Sequence, residues 1–163
     1  MTSRPGFRQS RTLATALALL AGMALAAGTL PARADRCDDL AAQLKGQIDG
    51  LEVGKTAANL IYLSHPQAKA LTLGCAGRNV NYQLFARADS RKPKPAFLDL
   101  VASAAAVIFT LPKDDMRKGA ARCIQRMGLF HGDDVSTRYR RLDMRCTRTK
   151  TDASITISRD ADQ

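Results

Sequence analysis

Four cysteines, Cys37, Cys75, Cys123 and Cys146, constrain this chain more than any other feature, because all four follow an N-terminal segment patterned like an export signal. Exported chains mature in oxidising compartments, where an even number of thiols predicts disulfides. Two bridges are therefore expected. The sequence allows three connectivities. Pairing Cys37 with Cys75 and Cys123 with Cys146 is favoured, because each bridge then joins neighbouring elements in the reading below. Each would stabilise the fold by about 2–4 kcal/mol in the chain-entropy account. No two cysteines stand in C-x-x-C spacing, and neither His65 nor His131 is placed to complete a ligand set with them. A zinc site or redox pair is thus disfavoured, and no metal or cofactor is expected.

The leader has three parts. Arg4, Arg8 and Arg11 form a basic start, an Ala/Leu-rich run extends from Leu13 to Leu30, and Pro31-Ala32-Arg33-Ala34 provides small residues at the positions a signal peptidase reads. The apolar run is long enough to rival an uncleaved anchor, but it is weakly hydrophobic and an A-x-A site follows at once. Cleavage after Ala34 is expected. No adjacent arginine pair precedes the run, which disfavours twin-arginine export. Residues 1–34 thus read as a Sec-type signal peptide and 35–163 as one mature, periplasmic domain with no further membrane span. The whole chain carries +10. Loss of Arg4, Arg8, Arg11 and Arg33, with no acid among them, lowers this to +6 for the mature part. That charge suits an anionic envelope and does not by itself point to nucleic acid, which the exported location also disfavours.

Periodicity predicts the elements. Leu40, Leu44 and Ile48 repeat at helical spacing in a segment 38–48. Extended segments are predicted at 57–63, 70–75 and 80–88, with turns at Ser64-His65-Pro66 and at 76–79. A proline-containing connection spans 90–95. Helices are then predicted over 97–109, with a small-residue middle at Ala102–Ala106, and from Pro112 to Met127 with Gly128 as a cap. Met116, Ala120, Cys123, Ile124 and Met127 would line the buried side of the second. From Val135 to Cys146 the apolar alternation slips phase at Arg140-Arg141, which reads as a β-bulge, and 154–159 would be the hairpin partner. The expected fold is α+β, a single two-layer domain with an antiparallel sheet packed on one face by about three helices, and a frayed tail at 160–163.

Three stretches bear on function. Val53-Gly54-Lys55-Thr56 resembles the end of a phosphate-binding loop, but position 49 is Asp49 where that loop needs glycine, so a glycine turn between helix and strand is expected. His131-Gly132-Asp133-Asp134 offers an imidazole and two carboxylates, enough for a weak metal site or a general base. The strongest signal is basic: Arg138, Arg140, Arg141, Arg145, Arg148 and Lys150, interrupted by Asp143. On a bulged strand, Arg138, Arg140, Arg141 and Arg145 would form one solvent-facing stripe suited to phosphate or carboxylate groups. The alternative is a solvated face whose charges block aggregation. The sequence favours a non-enzymatic periplasmic binding module whose arginine-rich strand face contacts an anionic envelope component or an acidic protein. The alternatives are a small hydrolase using His131 with Asp133 or Asp134, and a structural envelope-assembly protein.

Overall fold

The computed structural model describes residues 33–75, 80–128 and 132–160, with 33–35, 80–81 and 160 in backbone only. The segment up to residue 32 that is read as a signal, the turn expected at 76–79, His131 and the tail expected beyond Asp160 lie outside the described residues. The elements run α1 (Arg33–Gln47), β1 (Glu52–Ala57), β2 (Leu60–His65), β3 (Ala68–Gly74), β4 (Val80–Arg87), α2 (Pro95–Phe109), α3 (Lys113–Arg126), β5 (Asp134–Tyr139), β6 (Leu142–Arg148) and β7 (Ala153–Asp160). The strands form one seven-stranded antiparallel sheet in the order β1-β2-β3-β4-β7-β6-β5. Two meanders, β1 to β4 and β5 to β7, meet where β4 pairs with β7. The three helices cover one face, as the α+β expectation required.

Strand alternation builds the inner face. Leu73, Leu84, Ile157 and Met144 lie in register across four strands, and Leu71, Ala86, Ile155, Cys146 and Val135 across five. All are buried. Against them pack Cys37, Ala41 and Leu44 of α1, Phe97, Val101, Ala104 and Ala105 of α2, and Met116, Ala120 and Cys123 of α3. No polar or charged residue is fully buried in this core among the described residues, so burial of apolar area at about 25 cal/mol per Å² is its main source of stability; at its margin the Nε of Arg148 is buried without a hydrogen-bond partner.

Local signals place the helix ends. Pro95 begins α2, where a missing N–H costs nothing, and Thr110 ends it in a left-handed conformation with its N–H bonded to Ala106 O. Asp114 and Asp115 occupy the first turn of α3, favoured by the helix dipole. The C-cap of α3 is Met127, and Gly128 is not the expected cap: it bridges to Gly132 by two backbone bonds. The disulfides are Cys37–Cys75, tying α1 to the end of β3, and Cys123–Cys146, tying α3 to β6.

Two further expectations fail for one reason. Residues 57–63 are not one strand: β1 ends at Ala57, Ala58 and Asn59 turn with φ of 50° and 61°, and β2 starts at Leu60. Likewise Arg140 and Arg141, with φ of 52° and 63°, are not a bulge but the turn between β5 and β6, where Tyr139 pairs with Leu142. Both are two-residue hairpin turns of the left-handed kind that normally takes Asn-Gly. Neither contains the glycine that would have marked it. Gly54 and Lys55 consequently lie within β1 rather than in a helix-to-strand turn. A Cβ at Gly54 would stand 3.0 Å from Tyr62 O, so the glycine admits β2 at the irregularity between Val53 and Thr56.

Candidate binding surfaces

The hairpin turn divides the six basic candidates. Arg138 and Arg145 lie on the outer, helix-free face of β5 and β6. Arg140 and Arg141 form the hairpin tip. Arg148 points to the helix side and Lys150 sits in the β6–β7 turn. The single stripe expected on a bulged strand is therefore not formed.

Most of these cations are matched. Arg145 Nε donates to Asp134 Oδ1 at 2.9 Å while its Nη2 binds the second carboxylate oxygen. This bidentate pair holds the Asp134 carboxyl below its ordinary value of 3.8 and raises the guanidinium of Arg145. Arg138 Nε lies 3.7 Å from Asp143. Arg140 Nη2 reaches Asp115 of α3 at 3.4 Å. Arg148 donates to the carbonyls of Met127 and Ile124 at 3.3 and 3.4 Å, satisfying acceptors at the negative end of α3. Arg141 and Lys150 are exposed and have no ion-pair partner among the described residues.

A second cationic contribution comes from α3. Lys118, Arg122 and Arg126 are exposed along it, and Arg117 pairs with Asp99 at 3.0 Å. The helix and the hairpin tip share one surface: Arg140 bonds Asp115, and Arg122 lies over the Tyr139 ring at 5.6 Å. Gly119 permits this approach, because a Cβ there would stand 2.8 Å from both Met144 Cε and Tyr139 Cδ1. Arg122 and Lys118 were absent from the sequence-based site. Their signal was available in the charged side of an amphipathic helix, but only the hairpin turn brings the arginine tip beside it.

The outer face of the sheet is differently built. Outward residues lie in rows across β5, β6, β7 and β4: Arg138, Asp143, Ser158 and Gln83 in one row, and Ser136, Arg145, Thr156 and Phe85 in the next. Apart from Phe85, these residues line an open trough of about 370 Å³. Alongside, Thr147 and Ser154 hydroxyls bond at 2.7 Å.

The acidic candidates are engaged elsewhere. Asp133 accepts from Arg91 at 3.2 Å, and Asp134 is committed to Arg145. The Arg145 guanidinium lowers the basicity of Asp134, which counts against it as a catalytic base. His65 is structural: its Nε2 lies 3.0 Å from Asp49 O, and its Nδ1 accepts from Gln67 N–H at 3.1 Å. Among the described residues, no group of three or more His, Cys, Asp or Glu is disposed to hold a metal ion, and no helix is long and apolar enough to cross a membrane. Comparison with protein families, curated proteins and solved structures finds no match to this chain.

Proposed function

We propose that the protein is an exported, non-enzymatic interaction module that docks on an anionic envelope surface through the cationic end formed by α3 and the β5–β6 hairpin tip. The observation that carries the reading is the Arg140-Arg141 turn. Left-handed backbone costs a non-glycine residue about 1–2 kcal/mol, and Asn-Gly would close the same hairpin with less strain. What Arg141 adds there is a charge unmatched among the described residues, while Arg140 ties the tip to α3 through Asp115. Strain retained at an exposed tip is characteristic of functional positions. The signal-like leader and the two disulfides support an oxidising, exported location. Relative to the sequence-based reading, Arg141 remains in the site as the unmatched cation and Lys118 and Arg122 join it, whereas Arg138, Arg140 and Arg145 contribute little net charge because Asp143, Asp115 and Asp134 match them.

The test is retention on anionic phosphatidylglycerol vesicles as a function of salt. Exchanging Lys118, Arg122 and Arg141 for Ser is expected to weaken retention at low salt at least tenfold and to flatten its salt dependence. Exchanging Arg138 and Arg145 together with Asp143 and Asp134 for uncharged residues should leave it nearly unchanged. Equal losses in the two variants, or none in the first, would refute the reading.

A further inference from the structure

We propose that the trough on the outer face of the sheet is a second, independent binding site, and that its ligand is a neutral polyhydroxylated chain, an oligosaccharide. The trough has a simple cause in the sequence. The outward residues of β7 are Ser154, Thr156 and Ser158, all small, whereas Arg138 and Arg145 on one side and Gln83 on the other are long. β7 is thereby the floor, and its neighbours are the walls. Gly74, opposite Gln83 on β3, places no side chain beyond that wall; a Cβ there would stand 3.1 Å from Gln83 Cβ. The trough is open to solvent along its length, and its 370 Å³ falls at the small end of ligand clefts, which span about 300–1,000 Å³.

The lining chooses the chemistry. Ser158 and Thr156 both donate and accept, as does the Gln83 amide; Asp143 accepts, and the arginines donate. An apolar ligand would bury these groups without partners, at a cost of about 1–3 kcal/mol each. A phosphate or carboxylate would find each guanidinium already matched, Arg138 by Asp143 and Arg145 by Asp134. Removing that match leaves a carboxylate facing an anion. Sugar hydroxyls both donate and accept, so a ring lying in the trough can bond a carboxylate and a guanidinium at once without disturbing either ion pair. The rows of outward residues repeat along the strands about every 6.6–6.8 Å, which gives a linear chain of rings successive sets of partners.

The experiment is a titration of the isotopically labelled, disulfide-intact protein followed by amide chemical shifts. The probes are neutral tetrasaccharides of β-1,4-linked glucose, β-1,4-linked N-acetylglucosamine and α-1,4-linked glucose, with inorganic phosphate as the anionic comparison. At least one tetrasaccharide should give saturable shifts at Gln83, Arg145, Thr156 and Ser158 that persist at high salt. Ser158→Ala and Gln83→Leu, both outward changes that leave the core intact, should each weaken that binding about three- to tenfold, the worth of one hydrogen bond. Absence of saturable shifts with every tetrasaccharide, saturation with phosphate alone, or unchanged affinity in both variants would overturn the proposal. Vesicle retention is unaffected by these two variants if the sites are separate, so failure here is distinguishable from failure of the cationic surface.

Discussion

The two hairpins at opposite edges of the sheet, β1–β2 and β5–β6, share a backbone plan and differ in nearly everything packed on it. Each is closed by two non-glycine residues in left-handed conformation. Every residue of β1 is exposed, and Val53 and Tyr62 stand out among the large apolar side chains left in solvent. On the other hairpin, Val135, Leu142, Met144 and Cys146 are buried under α3, and the Cys123–Cys146 bridge fixes helix to strand. Of the first hairpin only β2 joins the core, through Ile61 and Leu63, whereas both strands of the second do, and the second is also tied to a helix by a disulfide.

Breaking the cover should have the largest effect. Cys123→Ala combined with Cys146→Ala is expected to lower stability to denaturant by about 2–5 kcal/mol, and to speed amide exchange in β5 and β6 more than in β1, whose exposed strand is expected to exchange readily in the intact protein too. If β1 and β6 exchange alike in the intact protein, the contrast between the hairpins is wrong. The turns sharpen the same comparison with a smaller effect. Arg140→Asn with Arg141→Gly should raise stability by about 1–2 kcal/mol yet reduce retention on anionic vesicles, whereas Ala58→Asn with Asn59→Gly should give a similar gain with retention unchanged. Thermal unfolding and vesicle binding on the same samples read both signs.

The smallest effect is electrostatic. Asp134 has its pKa depressed by Arg145, so the pair's contribution to stability is fully present above the ordinary carboxylate value of 3.8 and is lost as the pH falls below it through the folded-state value. Asp134 and Arg145 are exposed, so this loss is slight, and Asp134→Asn should flatten the acid limb of the stability curve only a little. An acid limb identical in the two proteins would show that the pair does nothing measurable.

Legibility followed the source of each signal. Helices α2 and α3 were readable because their apolar positions recur at helical spacing: Phe97, Val101, Ala104, Ala105 and Ile108 on one, and Met116, Ala120, Cys123 and Ile124 on the other, are all buried. The disulfide pairing favoured from sequence is the one formed. Turns at Ala58-Asn59 and Arg140-Arg141 were not readable, because left-handed backbone announces itself through glycine and these turns have none. The second omission mattered more. Taken as a bulge, it kept the arginines on one strand. Taken as a turn, it puts Arg140 and Arg141 at the hairpin tip, with Arg140 reaching Asp115 of α3, and leaves Arg138 and Arg145 facing carboxylates. Those partners, Asp143 and Asp134, were in plain view in the sequence, but cross-strand pairing follows register, and register followed from the turn. The β7 floor was also present in the alternation of Ser154, Thr156 and Ser158 with inward Ile155 and Ile157, a pattern that says which side faces water but not what borders it.

The two bridges also order the chain in time. Cys37 and Cys75 both precede Cys123 and Cys146, so neither covalent loop encloses or interlaces the other. Were the chain exported from its N-terminus, as proposed, the bridge between α1 and the end of β3 could close before the second pair of thiols has emerged. Wrong pairing is then limited to a late encounter, and the join of β4 with β7 becomes the step that waits for the end of the polypeptide.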